Sequence, residues 1–324
     1  MIPIIKNSSK KVIQVLINKI LLKKNSVFII NSIYEKSPSW LINYIWGHAK
    51  QPPFNFNWKI KLLNSKIVEV PVSATDIKSW EFALSYKWSD KCLTIVEAIV
   101  NDFYPLNHHY FDIGANMGLR SLYPLSINRP VILFEPNSNL KVFSENVFTQ
   151  NKFSNYKFEN ICLSEKAGEL EFYVSPSSYM SSIFKENAEM DKASGVVEAI
   201  KVQAITLDDY MKNNTTLSPK IIKIDTEGNE LSILKAGKNT LDVFSPVILT
   251  EILSHNTEGI EIFNFLNERK YTCYGLSDDQ NISRIIKIKK NNELDFEKVN
   301  NYLFVKDNEL EKIIDVKSSQ LNLK

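Results

Sequence analysis

The sequence predicts an α/β protein built on a doubly wound, mostly parallel sheet, with an N-terminal appendage of different make-up. Three observations carry this. Short apolar runs (HYFDIG, PVILFEP, YKFENI, KIIKIDTEG, PVILTEI) alternate with helical segments from Tyr110 onward. Continuous apolar strands spaced by helices mark a parallel sheet covered on both faces, and right-handed crossovers wind it. Most of these runs end on an acidic residue or a glycine, at the strand ends where such sheets bind ligands. Finally, Lys6, Lys10, Lys11, Lys19, Lys23 and Lys24 all precede the first acidic residue, Glu35, so the start of the chain differs from the rest.

In order along the chain, KKVIQVLINKILLKK (10–24) places Ile13, Leu16, Ile17, Ile20 and Leu21 on one helical face, with Lys11, Gln14 and Asn18 opposite. Such a face suits docking on the protein's own core. Its lysines also suit a peripheral membrane or partner contact. WKIKLLNSKIVEVPVS reads as a hairpin joined by Asn64-Ser65, and SWEFALSYKW and CLTIVEAIVNDFY have helical spacing. Trp80, Phe82, Tyr86 and Trp88 form no single helical stripe, which favours burial over lining a pocket. Residues 1–105 are therefore expected to be an appendage of helices and a hairpin. Residues 106–310 form the main domain and 311–324 a polar tail. Near the end, KYTCYGL and NNYLFVKD add an antiparallel pair at one sheet edge. The polar stretch 175–197 reads as a long excursion, with Tyr179, Met180, Ser181 and Ser182 as candidate cover for a ligand.

Composition excludes several classes. A net charge of +2 marks no nucleic-acid binder. Without the six leading lysines, 33 basic residues face 37 acidic ones, so the basic surplus is local. Cys92, Cys162 and Cys273 are scattered and form no C-x-x-C pair, which argues against a disulfide framework or zinc site. No apolar run has the length of a membrane span, and the N-terminal stretch does not read as a leader. The expectation is a cytoplasmic protein.

The first strand end offers Asp112, Gly114 and Asn116; the second, Glu135; the third, Asn160 and Ile161; the fourth, Asp225, Glu227 and Gly228; the fifth, Glu251. Glycines 114 and 118 let backbone approach a ligand closely. Glu135, on the next strand, is placed to accept from a ribose diol. Yet G-A-N-M-G is not the G-x-G-x-x-G that cradles a diphosphate, and Asp112 suits an ammonium better than a phosphate. A nucleoside carrying an amino acid meets these demands, which points to S-adenosylmethionine.

Five blocks in order across residues 110–251, FDIGANMG, ILFEPNSNLKVFSENVFTQN, ITLDDY, IIKIDTEGNELSILKAG and PVILTEI, resemble the FkbM-like family of S-adenosylmethionine-dependent methyltransferases. The first hundred residues carry no comparable pattern. The resemblance implies a Rossmann-like class I methyltransferase fold, a seven-stranded sheet with one reversed strand. It implies that Asp112, Gly114 and Asn116 border the methionine end of the cofactor, that Glu135 binds the ribose and that Asn160 and Ile161 flank the adenine. It also implies methylation of hydroxyls, often on sugars, glycans or secondary metabolites. The sequence departs from the family pattern in VILFEP, which lacks the usual small residue before Phe134, and in Arg120.

A hydroxyl acceptor must lose a proton during transfer, to a general base or with help from a metal. Asp225 and Glu251, ending neighbouring strands, are candidate catalytic groups, and His255, in the loop beyond, is a candidate base. With Glu227 the two acids can also hold Mg²⁺, or Asp225, Glu227 and Glu230 can simply brace the turn and the helix start. Two other functions stay open: a nicotinamide-dependent oxidoreductase, disfavoured by the missing third glycine, and a non-catalytic nucleoside-binding interaction module.

Overall fold

The computed structural model describes residues 7–37, 50–88, 90–175, 180–190, 197–253, 258–279 and 282–322. The chain divides into two compact units: residues 1–91 with 145–152, and residues 92–144 with 153–324.

The first unit contains α1 (Asn7–Leu21), α2 (Val27–Lys36), β1 (Phe56–Lys61), β2 (Ile67–Val72) and α3 (Ile77–Trp88). β1 and β2 pair antiparallel, and the turn between them sets Ser65 at φ 68°. Alternate residues Trp58, Ile60, Val68, Val70 and Val72 face inward, the period of a half-buried ribbon. Trp58 and Trp80 meet edge to face at 5.1 Å between ring centroids, with Tyr34 against Trp58 at 5.3 Å. Trp80 and Phe82 are thus core residues. The side chain of Trp88 lies outside the described residues. A two-stranded ribbon leaves open edges, and Asn31 closes one. Its amide donates to the Lys59 carbonyl at 2.9 Å and its oxygen accepts from the Lys59 N–H at 2.8 Å, as a third strand would. Lys87 performs the matching task at the end of α2, donating to the carbonyls of Tyr34, Glu35 and Ser37.

The second unit holds α4 (Lys91–Phe103) from its second residue, β3 (His109–Ile113), α5 (Leu122–Ser126), β4 (Val131–Phe134), the first half of α6 (Ser138–Gln150), whose residues from 145 on belong to the first unit, and β5 (Tyr156–Glu159). β6 (Cys162–Leu163), β7 (Gly168–Val174), α7 (Lys185–Ala188), β8 (Glu198–Ile205) and α8 (Leu207–Asn213) come after them. Next are β9 (Pro219–Ile224), α9 (Glu230–Ala236), α10 (Lys238–Phe244), β10 (Val247–Glu251) and α11 (Gly259–Glu268). The unit closes with β11 (Thr272–Asp279), β12 (Ile282–Ile288), β13 (Asn301–Val305) and α12 (Asn308–Asn322), which takes up most of the expected polar tail.

The main sheet runs β12-β11-β13-β10-β9-β3-β4-β5. β10, β9, β3, β4 and β5 are mutually parallel, and β13 lies antiparallel between β10 and β11. Its centre is mostly apolar, with Asp112 of β3 and Lys223 of β9 as buried charged residues. Ile221, Ile222, Ile224 and Ile248 are fully buried, each contributing about 1.5–3 kcal/mol. The strand order reverses beside β3, the position at which doubly wound sheets open a ligand crevice. The sheet has eight strands, not the expected seven, because β12 pairs antiparallel outside β11 and so adds a second reversed strand. A separate sheet, β6-β8-β7, is also present. Two of its strands flank the stretch expected as an excursion. At the far end of the main sheet, the buried guanidinium of Arg129 donates to the carbonyls of Asn101 in the last turn of α4 and of Tyr104, Pro105 and His108 in the segment that follows.

Candidate functional site at the carboxyl ends of the strands

Behind β3 the backbone turns through three left-handed residues, Gly114 (φ 72°), Asn116 (φ 50°) and Gly118 (φ 76°). Gly114 is needed twice over. It adopts a conformation that L side chains resist, and a Cβ there would lie 1.9 Å from the Asp225 carbonyl oxygen. The first turn therefore rests directly on the backbone that leaves β9. The N–H groups of Gly114 and Ala115 share the Phe134 carbonyl at the end of β4.

Glu135 is buried and both its oxygens accept from backbone. Oε2 takes the Asn116 N–H and Oε1 the Asn137 N–H, each at 2.9 Å. Burial nevertheless pushes its carboxyl up to about 7, with the two N–H groups and Lys223 opposing. Asn160, after β5, donates to the carbonyls of Glu135 at 2.7 Å and Pro136 at 2.8 Å, and Ile161 beside it is half-buried. Asn116, Glu135 and Asn160 are thus linked along one edge of the sheet.

Asp112 is placed differently from its neighbours in sequence. It is fully buried, accepts from the Ser121 hydroxyl at 2.6 Å and faces the Lys223 ammonium at 3.4 Å. Lys223 also donates to the Gly114 carbonyl at 3.0 Å and lies 3.2 Å from Asp225. Burial pulls the lysine's pKa down, but Asp225 and Asp112 outweigh it and the ammonium stays charged. Sequence reasoning does not find Lys223. Its signal is a lysine inside an otherwise apolar strand, KIIKI, where an unpaired charge is not tolerated.

Beyond β9, Asp225, Glu227 and Glu251 bring carboxylate oxygens within 4.8 Å of one another. Burial works against the Asp225 carboxylate, but Lys223 and a hydrogen bond with Glu251 hold it below the usual range. Glu227 goes the other way. Burial, then Asp225 and Glu230, push it up to about 8. Its Oε2 is buried and makes no hydrogen bond. Adjacent acids pushed in opposite directions are what acid–base chemistry requires. Oxygen donors this close also meet the needs of a hard cation such as Mg²⁺, yet the cation the structure places beside Asp225 is Lys223.

The turn carrying these acids is braced. Glu227 is left-handed (φ 57°) and Gly228 comes next at φ 111°. Glu230 Oε1 accepts from the Thr226 N–H, the Thr226 hydroxyl and the Gly228 N–H. The Glu227 carbonyl accepts from the Ser182 hydroxyl at 2.9 Å and the Asn187 amide at 2.5 Å. Ser182 therefore supports the turn from behind. Tyr179 and His255 lie outside the described residues.

No curated protein matches the chain significantly. Solved structures with some likeness include a Methyltransferase FkbM from Methylobacillus flagellatus KT, at 15% identity and TM-score 0.41, covering 70% of this chain and 54% of that one. Others are a precorrin-6y C5,15-methyltransferase from Geobacter metallireducens (12%, TM-score 0.35, 66% and 87% covered) and an rRNA methylase from Streptococcus thermophilus (5%, TM-score 0.38, 67% and 95% covered). The chain thus spans about half the length of the Methylobacillus flagellatus protein. Residues 112–273, from the buried Asp112 to the start of β11, match the Methyltransferase FkbM domain, and on this match to half its length the chain belongs to that family.

Proposed function

We propose that this protein is an S-adenosylmethionine-dependent methyltransferase that methylates a hydroxyl on a sugar, glycan or secondary-metabolite acceptor. The observation that carries the cofactor half is Glu135, whose carboxylate is held by two backbone N–H groups beside a left-handed glycine turn. An ionised carboxylate fixed this way can accept both hydroxyls of a ribose. Gly114 and Asn116 border the amino-acid end, and Asn160 and Ile161 flank the base. Asp112, out of reach of solvent, acts through Ser121 and Lys223 by fixing the turn. No helix N-terminus meets the turn, since α5 begins only at Leu122, which disfavours a diphosphate ligand and with it a nicotinamide cofactor.

The cofactor supplies a methyl group on a good leaving group, so the protein's task is alignment and removal of the acceptor proton. Asp225 and Glu251 orient the acceptor hydroxyl. Glu227 receives its proton, because a base is most effective with a pKa near working pH, while Asp225 is held too acidic for that task. His255 remains a candidate base from the loop beyond β10. Acceptors of the hydroxyl class fit a site lined by carboxylates, which hydrogen-bond polyols readily.

Isothermal titration with S-adenosylhomocysteine tests the first half. We expect binding to the unmodified chain and its loss in Glu135→Ala. Unchanged affinity in the variant, or quenching of NADH fluorescence by the wild type, would sink the assignment. The acceptor half is tested by tracking isotope-labelled methyl transfer to sugars against amines. Label recovered only on nitrogen refutes hydroxyl chemistry.

A further inference from the structure

Within the first unit, α1 and α2 each bury one apolar stripe. Ile17 and Leu21 of α1, and Val27, Ile30 and Tyr34 of α2, are in the core. The opposite stripes are also apolar, and they are open. Leu16 is 53% exposed, Leu22 63%, Phe28 75% and Ile29 56%, with Val15 and Ile33 near half. A surface helix normally carries polar groups on its outer face. Here the outer faces of two successive helices carry large aliphatic and aromatic side chains, which marks a contact surface.

The charges beside this surface define its partner. Lys19, Lys23, Lys24 and Lys36 are exposed among these residues. Val15, Leu16, Lys19 and Ile20 lie along one stripe of α1, with Lys23 just past its end, and Ile29, Ile33 and Lys36 lie along a stripe of α2. No acidic residue occurs before Glu35, so nothing within α1 offsets the lysines. A second copy of the same surface would bring lysines against lysines. A protein partner's core patch is typically depleted of lysine. An anionic bilayer satisfies both features at once, taking the apolar side chains below its headgroups and the ammonium groups among them. None of the described helices is long and apolar enough to cross a membrane, so the contact is in the plane of the surface.

We propose that the exposed face of α1 and α2 docks on the surface of an anionic lipid bilayer. The docking is independent of the methyltransferase reading, since it uses only residues of the first unit.

Co-sedimentation of the full chain with vesicles tests it. Vesicles of phosphatidylcholine with phosphatidylglycerol are expected to carry the protein down, and pure phosphatidylcholine vesicles are not. Raising salt weakens the partition, as screening shortens the reach of the lysines. Replacing Lys19, Lys23 and Lys24 together by Gln is expected to lower partition on the order of a hundredfold. Phe28→Ser with Ile29→Ser lowers it about tenfold or more. Both variants change exposed side chains, and unchanged thermal melting with unchanged S-adenosylhomocysteine affinity shows that the fold is kept. Equal sedimentation with neutral and anionic vesicles overturns the proposal, as does none with either. A concentration-dependent dimer abolished by Phe28→Ser with Ile29→Ser assigns the face to a second copy and also overturns it.

Discussion

The two halves of the strand-end edge treat their carboxylates in opposite ways. At β4, Glu135 has both oxygens engaged by backbone N–H groups, and its neighbours Asn116 and Asn160 are locked to the same strand end. At β9 and β10, three acids crowd within 4.8 Å, one of them in a left-handed conformation with a buried oxygen that makes no hydrogen bond. In the first half the Glu135 carboxylate is already held by backbone before any ligand arrives. The second stores repulsion and backbone strain, held in place by Glu230, Ser182 and Asn187. A prearranged half suits a ligand that is the same in every turnover. A half under electrostatic tension suits a place where a proton must move.

Removing the charge that both halves share is the strongest way to break this contrast. Lys223→Met leaves Asp112 and Asp225 without their ammonium, and a loss of about 3–5 kcal/mol is expected in urea unfolding. A variant as stable as wild type would show that the lysine is incidental. Next in size, Glu135→Ala is expected to weaken S-adenosylhomocysteine on the order of 100-fold, as two charged hydrogen bonds disappear. Asp225→Asn, on the other half, should leave that affinity within about threefold, and a larger loss would erase the division of labour.

A smaller effect comes from pH. Burial pushes the Glu135 carboxyl up to about 7, and a ribose diol donates more strongly to the ionised form than to the protonated one. Affinity is therefore expected to rise about tenfold between pH 6 and pH 8, and to be flat in Glu135→Gln. Stability moves in the other direction. An acid whose folded pKa lies above its unfolded value binds protons more tightly when folded, so stability falls as pH rises from the unfolded value toward the folded one. For Glu227 that window runs from 4.5 to about 8. Thermal melting measured from pH 5 to pH 9 should fall less steeply in Glu227→Gln than in wild type, and parallel curves would show that the acid is not under strain from its neighbours. The smallest expected change is Glu227→Gly, which relieves the left-handed conformation by about 1 kcal/mol. Destabilisation would mean that the turn depends on the side chain.

Sequence reading reaches the prearranged half more readily than the strained one. Apolar continuity marks β3, β4, β9 and β10 because buried parallel strands leave no polar alternation. The same criterion passes over β7, β8 and β12, whose half-exposed faces interleave charged residues, as in GELEFYV, EAIKVQAI and ISRIIKI. Those strands account for the second sheet and for the eighth strand of the first. The helical segment that follows β3 is only the short α5, because the turn stays left-handed as far as Gly118 and Pro124 disfavours helix in the residues just before it. Glu135 is legible because strand, glycine turn and acid occur at a recognisable spacing. The braces on Glu227 are not, since Ser182 and Asn187 reach it from far along the chain and only the fold brings them there.

At Gly114 the turn behind β3 and the Asp225 backbone touch with no side chain between them. Two loops in such contact cannot be tuned separately by ordinary substitution, since any added atom must first part them. Changes during divergence are therefore channelled away from this seam, toward segments that can vary without parting the two loops.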